Sequence, residues 1–285
     1  MCTTRDLARF ASVFANGGTV GGKRILSEEY VREATAYQID NREKKVDAMH
    51  GHGYGYQIWR TFNNTYSFCG MGGQLAIIVP DKDFIFVCTS DTQGDADGYV
   101  PFYDVLFETV INRMSDVPVQ KDDKAHAELT ALCDSLTVNM PFGDKSSPMV
   151  EAVGGVTYAV CKNPMGIESF RIDFTENGGT VYLHTDRGDK LFPFGNEMYT
   201  DTFFPEKHYY GERIGAPADR EFRCLNVGAW KDEHTFALRT YVIDICFGNM
   251  TALFTFDGDD VTLKITKTAE FFLDEYEGEA AGKRQ

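Results

Sequence analysis

From about residue 150 onward, the chain is a succession of short strand-like runs separated by turn signals. Phe, Tyr, Val and Thr, which favour β-strands, dominate these runs. The clearest runs are residues 169–174, 181–184, 235–245, 251–256 and 261–266. Turn-forming pairs such as Asn177-Gly178 and Asp257-Gly258 lie between them. About eight such strands predict a β-barrel or a β-sandwich over residues 151–285.

The first 115 residues combine helical and strand patterns. Apolar residues at positions 7, 10, 13 and 14 follow helical spacing, between a cap at Thr3 or Thr4 and a glycine pair at 17–18. A second helix is predicted to begin at Ser27. From Gly53 the apolar period changes to two, which predicts at least three antiparallel strands, and a helix opened by Pro101 covers one face of that sheet. Residues 1–115 are therefore predicted to form an α+β unit.

A polar, charge-rich stretch separates these two regions. Residues 116–150 begin with the composition of an exposed linker, and a short helix is predicted within them. The predicted fold class is α+β, with domains at residues 1–115 and 151–285 joined by this linker.

Charge and cysteine content exclude several classes of protein. The formal net charge of −15 disfavours nucleic acid and anionic membranes as partners. No apolar run reaches 18 residues and the first residues lack a signal peptide, so we expect a soluble, cytoplasmic protein. Seven cysteines without a C-x-x-C spacing predict neither a disulfide framework nor a zinc site. The pair His50 and His52 has no flanking ligands, so we expect no metal and no cofactor.

Three segments of the first unit carry a family resemblance. They are residues 3–35 (TTRDLARFASVFANGGTVGGKRILSEEYVREAT), 53–60 (GYGYQIWR) and 68–91 (FCGMGGQLAIIVPDKDFIFVCTSD). Together they resemble the C-terminal portion of serine hydrolases of the class C β-lactamase, penicillin-binding protein and esterase superfamily. This resemblance implies part of a β-lactamase-like antiparallel sheet with flanking helices. Residues 117–285 resemble the lipocalin-like β-barrel domain that some members carry after the hydrolase domain.

The resemblance implies acyl transfer on an ester, an amide or a D-amino-acid peptide, yet the sequence lacks the nucleophile. No Ser-x-x-Lys, Tyr-x-Asn or Ser-x-Asn occurs. Only the glycine-rich segment at residues 69–74 matches the family's third motif, and a strand bulge or turn is its structural alternative. The resemblance implies that Gly72 and Gly73 lie on the oxyanion strand, with the Gly73 N–H as donor. It also implies four substrate-contacting residues, Cys69, Gly70, Met71 and Gln74.

Two functional hypotheses follow. In the first, the chain is the C-terminal portion of such a hydrolase, inactive alone, whose parent enzyme acts on a small-molecule or short-peptide acyl substrate. Upstream strands would then be missing, so we expect a homo-oligomer or association with the missing N-terminal half. In the alternative, the chain is a non-catalytic module that binds a ligand or peptide in the β domain. The aromatic stretch at residues 193–210, predicted as a loop, favours this alternative.

Overall fold

The structure of the chain is a computed structural model that separates into two compact units, Met1–Asp123 and Lys124–Gln285. The described residues are 2–42, 51–70, 72–92, 98, 100–115, 117–137, 143–206, 221–244, 247–269 and 273–285. Two predicted candidates, Met71 and His50, lie outside them.

The helices of the first unit begin where the sequence places capping residues. Helix α1 (Thr4–Ala15) begins after Thr3, whose side chain and that of Asp6 form a reciprocal capping box. A two-stranded hairpin of β1 (Thr19–Val20) and β2 (Lys23–Arg24) follows. Helix α2 (Glu28–Ala34) is capped by Ser27. Helix α3 (Val100–Thr109) follows the sheet and contains Pro101 in its first turn.

A four-stranded antiparallel sheet forms the middle layer of this unit. Its strands, in spatial order, are β3 (Trp59–Arg60), β4 (Tyr66–Cys69), β5 (Leu75–Val79) and β6 (Phe84–Cys88). Strand β5 is buried on both faces. Ala76 and Ile78 pack with residues of α1 and α2, whereas Leu75 and Ile77 pack with residues of α3. The unit is therefore a three-layer α+β structure with an apolar core on each side of its sheet.

The second unit begins with two short helices and continues as antiparallel strands. Helix α4 (Asp123–Ser135) starts at the boundary and has no buried residue, and α5 (Val150–Val153) precedes the first strand. The strands are β7 (Thr157–Val160), β8 (Ile167–Thr175), β9 (Gly178–Thr185), β10 (Gly188–Asn196), β11 (Thr200–Phe203), β12 (Arg223–Trp230), β13 (Thr235–Ile243), β14 (Phe247–Asp257), β15 (Asp260–Thr268) and β16 (Gly278–Arg284).

These strands close into a barrel. The spatial order runs β10-β9-β8-β7-β16-β15-β14-β13-β12-β11, and a parallel pairing of β10 with β12 joins the ends. Nine strands thus form a ring, and β11 extends the edge of β12 beside β10. Of the two architectures left open by the sequence, the structure is the barrel.

Aromatic and aliphatic side chains of alternating residues fill the barrel interior. The largest fully buried ones are Tyr158, Phe170, Phe192, Phe222, Trp230, Phe236, Phe254 and Phe256. Many of the rings contact one another, as Tyr158 does in stacking on Phe170 at a centroid distance of 5.2 Å. The interior is therefore a packed core over much of its length.

Of the stretch 193–210 that the sequence predicted as a loop, the described residues 193–206 are largely strand. Residues up to 196 complete β10 and residues 200–203 form β11, while residues 207–210 lie outside the described part of the chain. Phe194 points into the barrel because it lies on the same face of the strand as Phe192, two positions earlier. The aromatic residues at 192–194 are thus explained by strand alternation.

Within the described ranges, no helix is long and apolar enough to cross a membrane.

Candidate functional site

The predicted glycine segment forms a tight turn between β4 and β5. The Gly70 N–H donates to the Gln74 carbonyl at 2.8 Å, and the Gly73 N–H donates to the Gly70 carbonyl at 3.3 Å. Gly72 and Gly73 have φ values of +100° and +86°, which favour glycine. The N–H that the resemblance assigned to an oxyanion site therefore closes the turn.

Polar contacts attach this turn to the chain after β6. Ser90 Oγ donates to the Gly73 carbonyl at 2.6 Å, and Gln74 Nε2 donates to the Ser90 carbonyl at 2.7 Å. A Cβ atom at Gly73 would lie 2.4 Å from Ser90 Oγ. Cys69 Sγ lies 3.6 Å from the Gly70 carbonyl oxygen. The structure thus brings five of the six predicted residues together in one turn, which further hydrogen bonds attach to the chain after β6.

A different cluster of polar groups lies inside the barrel, at the end where β9 turns into β10. Lys190, on β10, has 4% of its surface exposed, and no other charged side chain among the described residues is buried as deeply. It points inward because it lies on the same face of the strand as Phe192 and Phe194, at alternate positions. An ammonium group thus lies within an apolar interior.

Two side chains from connecting segments contact Lys190. Its Nζ donates to the Tyr276 hydroxyl at 3.0 Å and forms an ion pair with Glu206 Oε1. The Tyr276 O–H donates to the same Glu206 oxygen at 2.6 Å. Tyr276 lies on a short 3-10 helix, Asp274–Tyr276, and Glu206 follows β11 by three residues. Together the three side chains form a closed triangle of hydrogen bonds, which we call the Lys190 triad.

Further charges surround the triad. Burial lowers the pKa of Lys190 to about 8, and Arg187 acts in the same direction, whereas Glu275 and Asp186 oppose the shift. Arg187 itself lies 3.7 Å from Glu275. Burial also raises the pKa of Tyr276 well above its ordinary range, so this hydroxyl keeps its proton at neutral pH.

Apolar side chains form the walls around the triad. The ring centroid of Tyr276 lies 5.4 Å from that of Phe204 and 6.3 Å from that of Phe192. Phe222 and Leu273 belong to the same buried cluster. A polar head group beside apolar walls is the arrangement that an amphipathic small molecule requires.

Further along the barrel, the buried hydroxyl of Thr240 is unsatisfied. Thr240, on β13, is fully buried, and its Oγ1 has no hydrogen-bond partner among the described residues. Its neighbour across the strand pair, Asn226, donates from Nδ2 to the Pro193 carbonyl at 2.9 Å. The barrel interior therefore contains a hydroxyl outside the triad that is able to hydrogen-bond to a ligand.

A groove of about 330 Å³ lies on the outer face of β8, β9 and β10. His184 in this groove lies between Asp189, at 2.5 Å, and Glu168, at 3.5 Å. The hydrogen bond to Asp189 raises the pKa of His184. Arg171 pairs with Asp173 at 3.0 Å and lies over the Tyr182 ring. Because these paired charges are exposed to solvent, whereas those of the triad are buried, the groove is a weaker candidate than the triad.

The part of the chain that the structure describes contains no group of three or more side chains suited to hold a metal ion.

Sequence reasoning missed the triad, although one signal for it was present. In the run GDKLFPF at residues 188–194, strand alternation places Lys190 on the same face as Phe192 and Phe194. Glu206 and Tyr276 lie outside regular strands, so no periodicity could have placed them beside Lys190.

No family model matches the sequence, and no curated protein matches it. Similar solved structures cover about half of this chain. The fatty-acid-binding protein of Manduca sexta is 11% identical over 46% of this chain and 98% of its own, with a TM-score of 0.30. A Schistosoma mansoni fatty-acid-binding protein in complex with arachidonic acid is 10% identical over 48% of this chain and 98% of its own, with a TM-score of 0.32. The fatty acid transporter REP1-NXSQ is 7% identical over 48% of this chain and 97% of its own, with a TM-score of 0.31.

These comparisons overturn the resemblance to serine hydrolases. The three structures named above are fatty-acid-binding or fatty-acid-transporting proteins, and nothing in the comparisons points to a β-lactamase-like hydrolase or a penicillin-binding protein. That family prediction is therefore wrong, although the predicted β-barrel domain is present. The roles predicted for Cys69, Gly70, Met71, Gln74 and the Gly72-Gly73 pair rested on it and stay untested.

Proposed function

We propose that the barrel unit binds a small apolar ligand with an anionic head group, without catalysing a reaction. The observation that carries this proposal is the buried ammonium of Lys190, with the Tyr276 hydroxyl beside it, in an interior of aromatic side chains. An anionic head group would pair with Lys190 and accept the Tyr276 hydrogen, while an apolar tail would contact Phe192 and Phe204.

Folding alone does not account for a charge at this position. Removing an ammonium and a carboxylate from water costs several kcal/mol per ion, and apolar residues of similar volume often replace a buried ion pair without loss of stability. The next two residues on the same face of β10, Phe192 and Phe194, are apolar and buried. Lys190 is therefore better explained by recognition of an anion than by packing.

The first test is a fluorescence titration of the whole chain with dansylamino-undecanoic acid, a probe with an apolar tail and a carboxylate. We expect saturable, one-to-one binding with a blue-shifted emission. Lys190→Met should weaken binding by roughly tenfold or more, because it removes a charge-assisted hydrogen bond in a buried site. Arachidonic acid, the ligand of the Schistosoma mansoni structure, should displace the probe.

The matched control is Lys264→Met, since Lys264 is exposed on the outer face of β15. This variant should bind the probe as the wild type does. Absence of saturable binding, or equal affinity of the Lys190→Met and wild-type chains, would contradict the proposal.

A further inference from the structure

We infer that Glu206 is an internal competitor for the anionic head group, occupying the position on Lys190 and Tyr276 that the ligand must take. The inference rests on the proposed function, because it concerns the regulation of that same site. Binding is then an exchange of one carboxylate for another. Glu206 leaves the triad for water as the head group arrives, and no proton needs to move.

The geometry of the triad supports exchange over simultaneous occupancy. A single oxygen, Glu206 Oε1, accepts from both the Lys190 ammonium and the Tyr276 hydroxyl. These are the same two donors that an incoming carboxylate would use. Lys190 has 4% of its side chain exposed and Glu206 has 13%, so the contact is enclosed on most sides.

The local charge balance points the same way. Two cations, Lys190 and Arg187, face three carboxylates, Glu206, Glu275 and Asp186. A ligand carboxylate added to this set would bring a fourth anion beside two cations, in surroundings that screen charge poorly. Departure of Glu206 restores the original balance, because one carboxylate replaces another.

Glu206 can leave without opening the sheet. The pairing of β11 with β12 ends at Phe203, and one more hydrogen bond follows, from the Phe204 N–H to the Phe222 carbonyl at 2.7 Å. Glu206 lies two residues beyond that hydrogen bond, and the intervening Pro205 has no N–H to donate. Rotation of the chain at residues 205–206 therefore moves the carboxylate while Phe204 stays in the apolar wall.

The test compares dansylamino-undecanoic acid with its methyl ester, which has the same tail and no charge. In Glu206→Gln, a side chain of similar size no longer supplies a competing carboxylate. We expect affinity for the acid to rise about fivefold or more relative to wild type, with affinity for the ester changed less than about twofold. Urea denaturation of each variant establishes that it is folded.

Glu277→Gln is the matched control. Glu277 is exposed and follows Tyr276 directly, so this substitution removes a negative charge from the same end of the barrel without touching the triad. It should leave the acid-to-ester affinity ratio unchanged. An equal rise in both variants would overturn the inference in favour of general electrostatic attraction.

The failure of the inference differs from the failure of the proposed function. If neither acid nor ester binds saturably to any variant, the proposed function fails. If both bind to the wild type but Glu206→Gln leaves the acid-to-ester ratio unchanged or lowers it, only the inference fails.

A second variant tests whether a free carboxylate fits the position of Glu206. Glu206→Ala leaves space beside Lys190, and sodium propionate should raise its melting temperature above the value in equal sodium chloride. The double variant Lys190→Met/Glu206→Ala should show no such rise. An equal response of the two variants to propionate would overturn the inference.

Discussion

At the scale of single residues, Lys190 links the site to pH. Burial lowers its pKa to about 8 from the ordinary 10.5, so folding disfavours its charged form. Between about pH 8 and pH 10.5, the unfolded chain therefore binds more protons than the folded chain does. The contribution of Lys190 to stability therefore rises with pH across that window. Well below pH 8 the residue is charged in both states, and its contribution is constant.

We expect the free energy of unfolding of the wild type to rise by about 2 kcal/mol between about pH 7.5 and pH 9.5, relative to Lys190→Met/Glu206→Gln. This double variant removes both charges of the ion pair, so Glu206 is not left unpaired. Urea denaturation at the two pH values measures the difference. Lys264→Met should keep the wild-type dependence, and a double variant with the same dependence as the wild type would show that Lys190 titrates normally.

At the scale of elements, the closure of the barrel depends on a short seam. Strands β10 and β12 pair at only two positions, Gly195 with Val227 and Asn196 with Gly228. The side chain of Asn226 extends this seam by donating to the Pro193 carbonyl. Asn226 is fully buried, so its amide serves as an additional rung between the two strands.

Asn226→Leu should lower the free energy of unfolding by about 1–3 kcal/mol, because leucine has a similar volume but leaves the Pro193 carbonyl without its donor. Chemical denaturation followed by circular dichroism measures this loss. Thr262→Leu, at an exposed position of β15, should change stability by less than about 0.5 kcal/mol. Equal stability of Asn226→Leu and the wild type would show that the seam does not need this hydrogen bond.

Local elements of this fold are largely predictable from the sequence, whereas their assembly is not. Helix α1 and its cap at Thr3 follow from capping chemistry, and the strands follow from alternation. The hydrolase prediction failed because capped helices, glycine turns and alternating strands recur in unrelated folds and do not specify topology. The triad escaped prediction because Glu206 and Tyr276 meet Lys190 only through closure of the barrel.

At the scale of the whole molecule, each unit has its own apolar core. Two buried clusters lie on either side of the sheet in the first unit, and one large cluster fills the barrel. The two tryptophans of the chain are divided between the units, with Trp59 on β3 and Trp230 on β12. Each tryptophan therefore reports on one core.

We expect the two units to unfold at different urea concentrations. Trp59→Phe leaves Trp230 as the reporter of the barrel, and Trp230→Phe leaves Trp59 as the reporter of the first unit. The fluorescence midpoints of these two variants should differ. Coincident midpoints, which also agree with the circular dichroism transition, would show that the whole chain unfolds as one cooperative system.

The predicted oligomer stays a prediction, which light scattering of the same samples tests.

The strand order of the barrel also determines the sequence in which it can assemble. Strands β7 to β10 and β12 to β16 are two meanders in which each strand pairs with its neighbour in the chain. The pairing of β16 with β7 joins residues about 120 positions apart in the sequence, so it carries the largest loop-closure entropy. Hairpins within the meanders form on a microsecond scale, and ring closure follows them. We therefore expect ring closure to set the rate at which a newly made chain becomes a closed barrel, with the aromatic interior open to other chains until then.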